Sequence, residues 1–154
     1  MSVKVCEFED GKQIILLWRE AFGDSEEEVV FFLENCINKT CIALSEDGKL
    51  YSMLFLVDCE IDGERAGYIY AASTFKSRRN KGDMSRILEY CRENYPKLCL
   101  IPATNKLEDY YKKRGFTDRA ELSSITFDES DEIKEYLFEG SVLKKPYLMI
   151  CKEN

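Results

Sequence analysis

The stretch Tyr68–Arg86, YIYAASTFKSRRNKGDMSR, decides how the chain is read. Its first seven residues are aromatic, β-branched and small, and read as a strand. Residues 76–86, KSRRNKGDMSR, then gather five Lys/Arg, one Asp and one Gly in eleven positions. Met84, Ile87, Leu88 and Cys91 follow at helical spacing and predict a helix that ends by Tyr95-Pro96. A strand that turns through a glycine into a helix leaves the first helical N–H groups unpaired and facing outward. A pyrophosphate can sit there. Gly82 permits close backbone approach, and Arg78, Arg79, Lys81 and Arg86 can supply charge. The plain alternative is a solvated basic helix entrance that balances acidic neighbours.

The background makes this segment stand out. The chain of 154 residues carries a net charge of -7, which argues against nucleic-acid partners, whose phosphates call for an extended basic surface. Hydrophobic residues make up 45% and aromatics 12%, enough for one compact domain over residues 1–154 that buries about 70% of its unfolded surface. No apolar run approaches the ~20 residues of a membrane span. The opening MSVKVCEFED has neither the basic start nor the long apolar stretch of a secretory signal, so the expected location is cytoplasmic. The seven cysteines are scattered and sit mostly in apolar patterns, as reduced core residues do. With no histidine and no CxxC, no metal site is expected, and acid-base chemistry must use Tyr, Asp, Glu, Cys, backbone or water.

Working outward, residues 3–8 read as a first strand and Lys12 to Phe22 as a helix with Ile14, Leu17, Trp18 and Ala21 on one face. FGDS breaks it, and Ser25 with Glu28 forms a capping box for a second helix bearing Val29, Phe32, Leu33 and Cys36. TCIALSED, KLYSMLFLVDCEI and ERAGYIYAAST read as hairpin strands joined at Asp47-Gly48 and Asp62-Gly63. After the basic segment and its helix, KLCLI reads as a buried central strand. Asn105 with Glu108 is expected to cap a helix carrying Leu107, Tyr110 and Tyr111, with Gly115 as its left-handed stop. FTDRAELSSITFD and KPYLMICKE read as two last strands, with a short helix near Glu129 to Phe138 between them. The order predicts an α/β (α+β) domain: a mixed sheet with helices on both faces.

The loop has neither the GxxxxGK[ST] nor the GxGxxG pattern of common nucleotide sites. It resembles instead the acetyl-CoA signature Q/R-x-x-G-x-G/A of the Gcn5-related N-acetyltransferases. Arg79-Asn80-Lys81-Gly82-Asp83-Met84 matches its first four positions, and Met84 stands in place of the final small residue. Thr74 precedes Arg79 by the usual strand-to-loop spacing, and YYKKRGF, residues 110–116, resembles the second diagnostic segment of that family. The resemblance implies a mostly antiparallel central sheet and acetyl-CoA as acyl donor. It implies that Ala72, Ser73 and Thr74 face the pantetheine arm, that Arg79, Asn80, Lys81, Gly82, Asp83 and Met84 wrap the pyrophosphate, and that Ser85 adds a hydroxyl. It further implies that Asn105 approaches the cofactor from the later helix and that Tyr111 protonates the departing thiolate. Tyr110, on another side of that helix, is expected to pack.

Asp58, Glu60, Glu64, Tyr68, Tyr70 or a water on strand carbonyls are all open as general base, and none wins on spacing. The family pattern places the acceptor, an amine of a small molecule or peptide, near Trp18, Phe22, the GDS break, Glu26 to Glu28 and Phe31. The acidic surplus favours a cationic amine. LWREAFGDSEEEVVFF also resembles the opening of family members with extra C-terminal domains, whose acceptor surface is not expected here. A monomer or homodimer fits. Competing readings are a non-catalytic acyl-CoA-binding or sensing domain and a protein-interaction module.

Overall fold

A computed structural model describes residues 3–152. Eight strands and five helices follow the expected order: β1 Val3–Glu7, α1 Gly11–Phe22, α2 Glu26–Asn35, β2 Lys39–Glu46, β3 Lys49–Ile61, β4 Glu64–Thr74, α3 Asp83–Asn94, β5 Lys97–Leu100, α4 Asn105–Lys112, β6 Asp118–Ala120, β7 Ile125–Phe127, α5 Asp131–Phe138 and β8 Leu148–Lys152. The sheet runs β1-β2-β3-β4-β5-β8-β6, with β7 on the far end of β3. Asp47 (φ 51) with Gly48 (φ 78) and Asp62 (φ 50) with Gly63 (φ 84) supply the left-handed pairs that two-residue hairpin turns need.

Every pair in the sheet is antiparallel except β4 and β5. These two are joined through the α3 crossover, which sets them parallel. Their pairing covers only Gly67 with Leu98 and Tyr68 with Cys99. A Cβ on Gly67 would stand 3.4 Å from both Leu56 and Leu98, so glycine lets the strands close at this rung. Beyond it they part, and β4 continues to Thr74 without β5 beside it.

Both sheet faces are covered. Met53, Phe55, Val57 and Cys59 of β3 pack with α1, α2 and α5, whereas Leu54 and Leu56 face the layer of α3 and Tyr111. That is why β3 reads as a continuous apolar run rather than an alternating one. Trp18, Phe32 and Phe55 form the aromatic centre of the first layer, with ring centroids 5.2 to 5.7 Å apart.

Three expectations change. FTDRAELSSITFD is not one strand: a 3-10 turn at Leu122–Ser124 divides it, so that β6 pairs β8 and β7 pairs β3. Thr104, not Asn105, caps α4, its hydroxyl accepting Leu107 N–H at 3.1 Å. Thr104 is extended and so presents its oxygen to the first turn, which places Asn105 one step inside the helix. The expected strand KPYLMICKE is shorter at its start, since β8 begins only at Leu148 and leaves Lys145 to Tyr147 outside it, and Glu153 lies outside the described residues.

Candidate active site

Where β4 leaves β5 it also carries a bulge. Three steps from Tyr70 to Ser73 face two from Phe55 to Met53. Ala71 takes φ +55, a conformation that costs a non-glycine residue roughly 1–3 kcal/mol and persists only when its surroundings enforce it. The enforcement is visible. Buried Ser52 donates to Ser73 O at 3.0 Å and shares a 2.6 Å hydrogen bond with the Thr74 hydroxyl, and Ser73 Oγ donates to Ala71 O at 3.2 Å. The hydroxyls of Ser73 and Thr74 thus fix the strand.

After β4, a 3-10 turn at Lys76–Arg78 leads to Asn80 (φ 65) and Gly82 (φ 80). Gly82 starts α3 with no side-chain cap. The N–H groups of Asp83, Met84 and Ser85 find no acceptor among the described residues, which leaves the positive end of a twelve-residue helix open to an anion. Asp83 does not oppose it. Its carboxylate turns inward and accepts from Arg78 Nε and Nη2, both at 3.1 Å, and the Arg78 guanidinium lies 4.4 Å from the Tyr51 ring centre. Arg78 therefore builds the loop, while Arg79, Lys81 and Arg86 are exposed. Arg79 Nε donates to Thr74 O at 3.2 Å, and its terminal nitrogens have no partner among the described residues.

A groove of about 420 Å³ runs along this loop, lined by Ala72, Ser73, Thr74, Arg79, Asn80, Gly82, Asp83, Met84 and Ser85 together with Tyr110, Tyr111 and Arg114. It meets a cleft of about 370 Å³ between the diverging ends of β4 and β5. Phe22, Ala72, Leu107 and Tyr111 line both, so the two spaces are continuous. Lys81 and Asn105 line neither.

Tyr111 stands at the junction. It is 7% exposed, its ring wedged edge-on between Tyr110 and Phe116, and its hydroxyl has no hydrogen-bond partner among the described residues. Burial holds its phenol above the ordinary value, so the proton stays on at neutral pH. Tyr111 is the more deeply packed of the adjacent tyrosines, contrary to expectation. Tyr110 instead lies under the Arg114 guanidinium, 3.5 Å from its ring centre.

Sequence reasoning passed over two lining residues, Arg114 at the groove and Glu139 at the cleft, whereas Asp24 belongs to the GDS break expected near the acceptor. Arg114 donates from Nε to Ser85 Oγ at 3.1 Å and from Nη1 to Tyr110 O at 3.0 Å, tying α4 to α3 across the groove. Asp24 and Glu139 are the two carboxylates lining the cleft. The basic run before Gly115 was a signal for Arg114; nothing local singles out Glu139. Of the open base candidates, Tyr68 and Tyr70 line the cleft, and Tyr68 donates its hydroxyl to Leu137 O. Asp58 and Glu60 line a separate hollow, and Glu64 pairs with Lys97 at the opposite end of the sheet. Trp18 and Phe22 line the cleft, whereas Phe31 stacks on Tyr136 and Glu28 serves its capping box.

No protein-family model and no curated protein matches the sequence. Solved structures match the fold. The histone acetyltransferase HPA2 and related acetyltransferase of Corynebacterium glutamicum superposes with a TM-score of 0.70 at 11% identity, over 100% of this chain and 98% of that one. A GNAT family acetyltransferase of Elizabethkingia anophelis, with acetyl-CoA bound, gives 0.61 at 15% identity over 97% of each chain. The N-acetylglutamate synthase of Neisseria gonorrhoeae, complexed with coenzyme A and N-acetyl-glutamate, gives 0.65 at 18% identity over 100% of this chain and 36% of that one. This chain thus spans about a third of the Neisseria protein's length. The fold is that of the Gcn5-related N-acetyltransferases.

Proposed function

We propose that residues 1–154 form one acyl-CoA-binding domain and that the chain is an N-acetyltransferase, moving an acetyl group from acetyl-CoA to a primary amine of a small molecule or peptide. The observation that carries this is the continuous groove: an uncapped helix N-terminus at one end, a split parallel strand pair at the other, and an unpartnered Tyr111 hydroxyl at the junction. The bound structures of fold relatives support the choice of donor.

The residues present fit such a donor. The N–H groups of residues 83–85 and the free ends of Arg79 and Arg114 face a pyrophosphate, Ala72 borders a pantetheine arm, and Met84 lies partly buried at the groove wall without closing it. Acetyl-CoA supplies the activated thioester when bound. The amine nitrogen bonds to the acetyl carbon as the carbon–sulfur bond breaks, Tyr111 gives its phenolic proton to the sulfur, and the amine proton leaves to water. Holding both reactants in one groove supplies much of the rate.

Thermal unfolding with acetyl-CoA, CoA and ATP tests the donor. Selective binding raises stability by about 2.7 kcal/mol at a hundredfold excess over Kd. A shift with both CoA species and none with ATP is expected; no shift at millimolar ligand refutes the reading. Thiol release in an amine screen then tests transfer.

A further inference from the structure

The groove is polarised. Its loop end carries Arg79 and Arg114. Among the described residues, the cleft end is lined by Asp24 and Glu139 and by no lysine or arginine.

Asp24 comes from the break between α1 and α2, which Gly23 enforces by ending α1 in the left-handed conformation (φ 73). Trp18 Nε1 donates to Asp24 Oδ2 at 2.9 Å, which orients the carboxylate and leaves Oδ1 without a donor among the described residues. Glu139 follows α5, and its carboxylate forms no ion pair among the described residues. Tyr70 lines the same cleft, and its phenol is pushed up by burial first and then by Asp24 and Glu139. Trp18 and Tyr70 also line that wall. The Tyr111 hydroxyl, on a residue 7% exposed, has no hydrogen-bond partner among the described residues and opens to the same cleft.

An attacking amine must shed its proton, and its charge, before the carbon–nitrogen bond forms. Two carboxylates that served only that nitrogen would lose their counter-charge as the reaction proceeds. A second, permanent positive charge removes this difficulty. Resting on the transferase reading, we propose that Asp24 and Glu139 determine acceptor specificity. They select an amine that carries a second ammonium group, such as a short aliphatic diamine, and reject amines that bear a carboxylate or phosphate.

The test compares 1,4-diaminobutane, n-butylamine, L-glutamate and glucosamine 6-phosphate. Acetyl transfer is followed by thiol release, and binding to the CoA-loaded protein by calorimetry. The wild type is expected to prefer the diamine over butylamine by about tenfold or more in kcat/KM and to ignore both anionic amines. Asp24→Asn and Glu139→Gln are each expected to cut the diamine preference about tenfold, with the loss carried by KM rather than kcat. Glu139 is exposed, so its variant reports even where Asp24→Asn disturbs Trp18. Preference for an anionic amine, or an undiminished diamine preference in both variants, overturns the proposal. Transfer to none of the amines by a CoA-binding protein refutes the transferase reading. The calorimetric order of diamine against glutamate then still decides the charge of the cleft, and equal or stronger glutamate binding overturns the assignment.

Discussion

At its basic end the groove is walled largely by residues 72–85, and what it offers a ligand is mainly backbone: two left-handed residues, an uncapped helix and a partly buried Arg78–Asp83 pair that holds the turn. At its other end the wall comes from well-separated segments, around Trp18 to Asp24, Tyr68 to Ala72, Leu100 to Ala103, Leu107 to Tyr111 and Glu139 to Gly140, and what it offers is side chains. The first end is a local solution to anion binding, which a short run of residues can build wherever a strand turns into a helix. The second exists only because β4 and β5 separate after two paired rungs. Substitutions should therefore act differently on the two: through conformation and charge at the loop, through chemistry at the junction and cleft.

The sharpest way to separate them is Tyr111→Phe. Transfer should fall about a hundredfold or more while CoA still stabilises the protein, because the ring and its packing against Phe116 remain. Turnover that does not change removes Tyr111 from the chemistry.

Arg78→Ala should do the opposite. It strands a carboxylate that is 3% exposed, and because Arg78 itself is 28% exposed the loss should be about 1–3 kcal/mol of stability rather than that of a fully buried pair. Chemical denaturation measures it, and CoA binding should weaken with the loop. Wild-type stability in this variant would mean that the pair does not hold the turn.

Replacing Arg79 and Lys81 together with Ala should leave unfolding nearly unchanged, since both side chains are exposed. CoA affinity should drop about tenfold, less so as salt rises. Equal affinity at low salt would place the phosphates elsewhere.

The smallest effect is one of pH. Tyr111 must be protonated to act as the acid, and burial lifts its phenol above the ordinary 10.0. The acid form therefore persists through neutral and mildly alkaline solution and is lost only as pH rises through the raised value. A rate profile should show no descending limb between pH 7 and 9 from this group; such a limb, kept in Tyr111→Phe, would name another acid.

Much of the frame was legible because its signals are short-range. Asp-Gly pairs specify both hairpins, and Ser25 with Glu28 specifies the start of α2 through hydrogen bonds three residues apart. The α3 stripe places Ile87, Leu88 and Cys91 inward. The split of FTDRAELSSITFD into β6 and β7 was not legible, because each half takes a different distant partner, β8 or β3, and the local pattern suits either. The roles of Asp83 and Arg114 were hidden for a related reason. Composition counts charges, and only packing shows which of them face each other.

The sequence by itself determined the layered α/β frame, the hairpin registers' turns, and a glycine loop entering a helix, since all of these follow from propensities and spacings within a few residues. Only the tertiary structure decided that β4 and β5 part beside the Ala71 bulge, that Asp24 and Glu139, 115 positions apart, line one cleft, and that Arg114 lies over Tyr110 while Tyr111 is buried at the junction. Those placements depend on long-range packing of two core layers against one sheet, which no local pattern encodes.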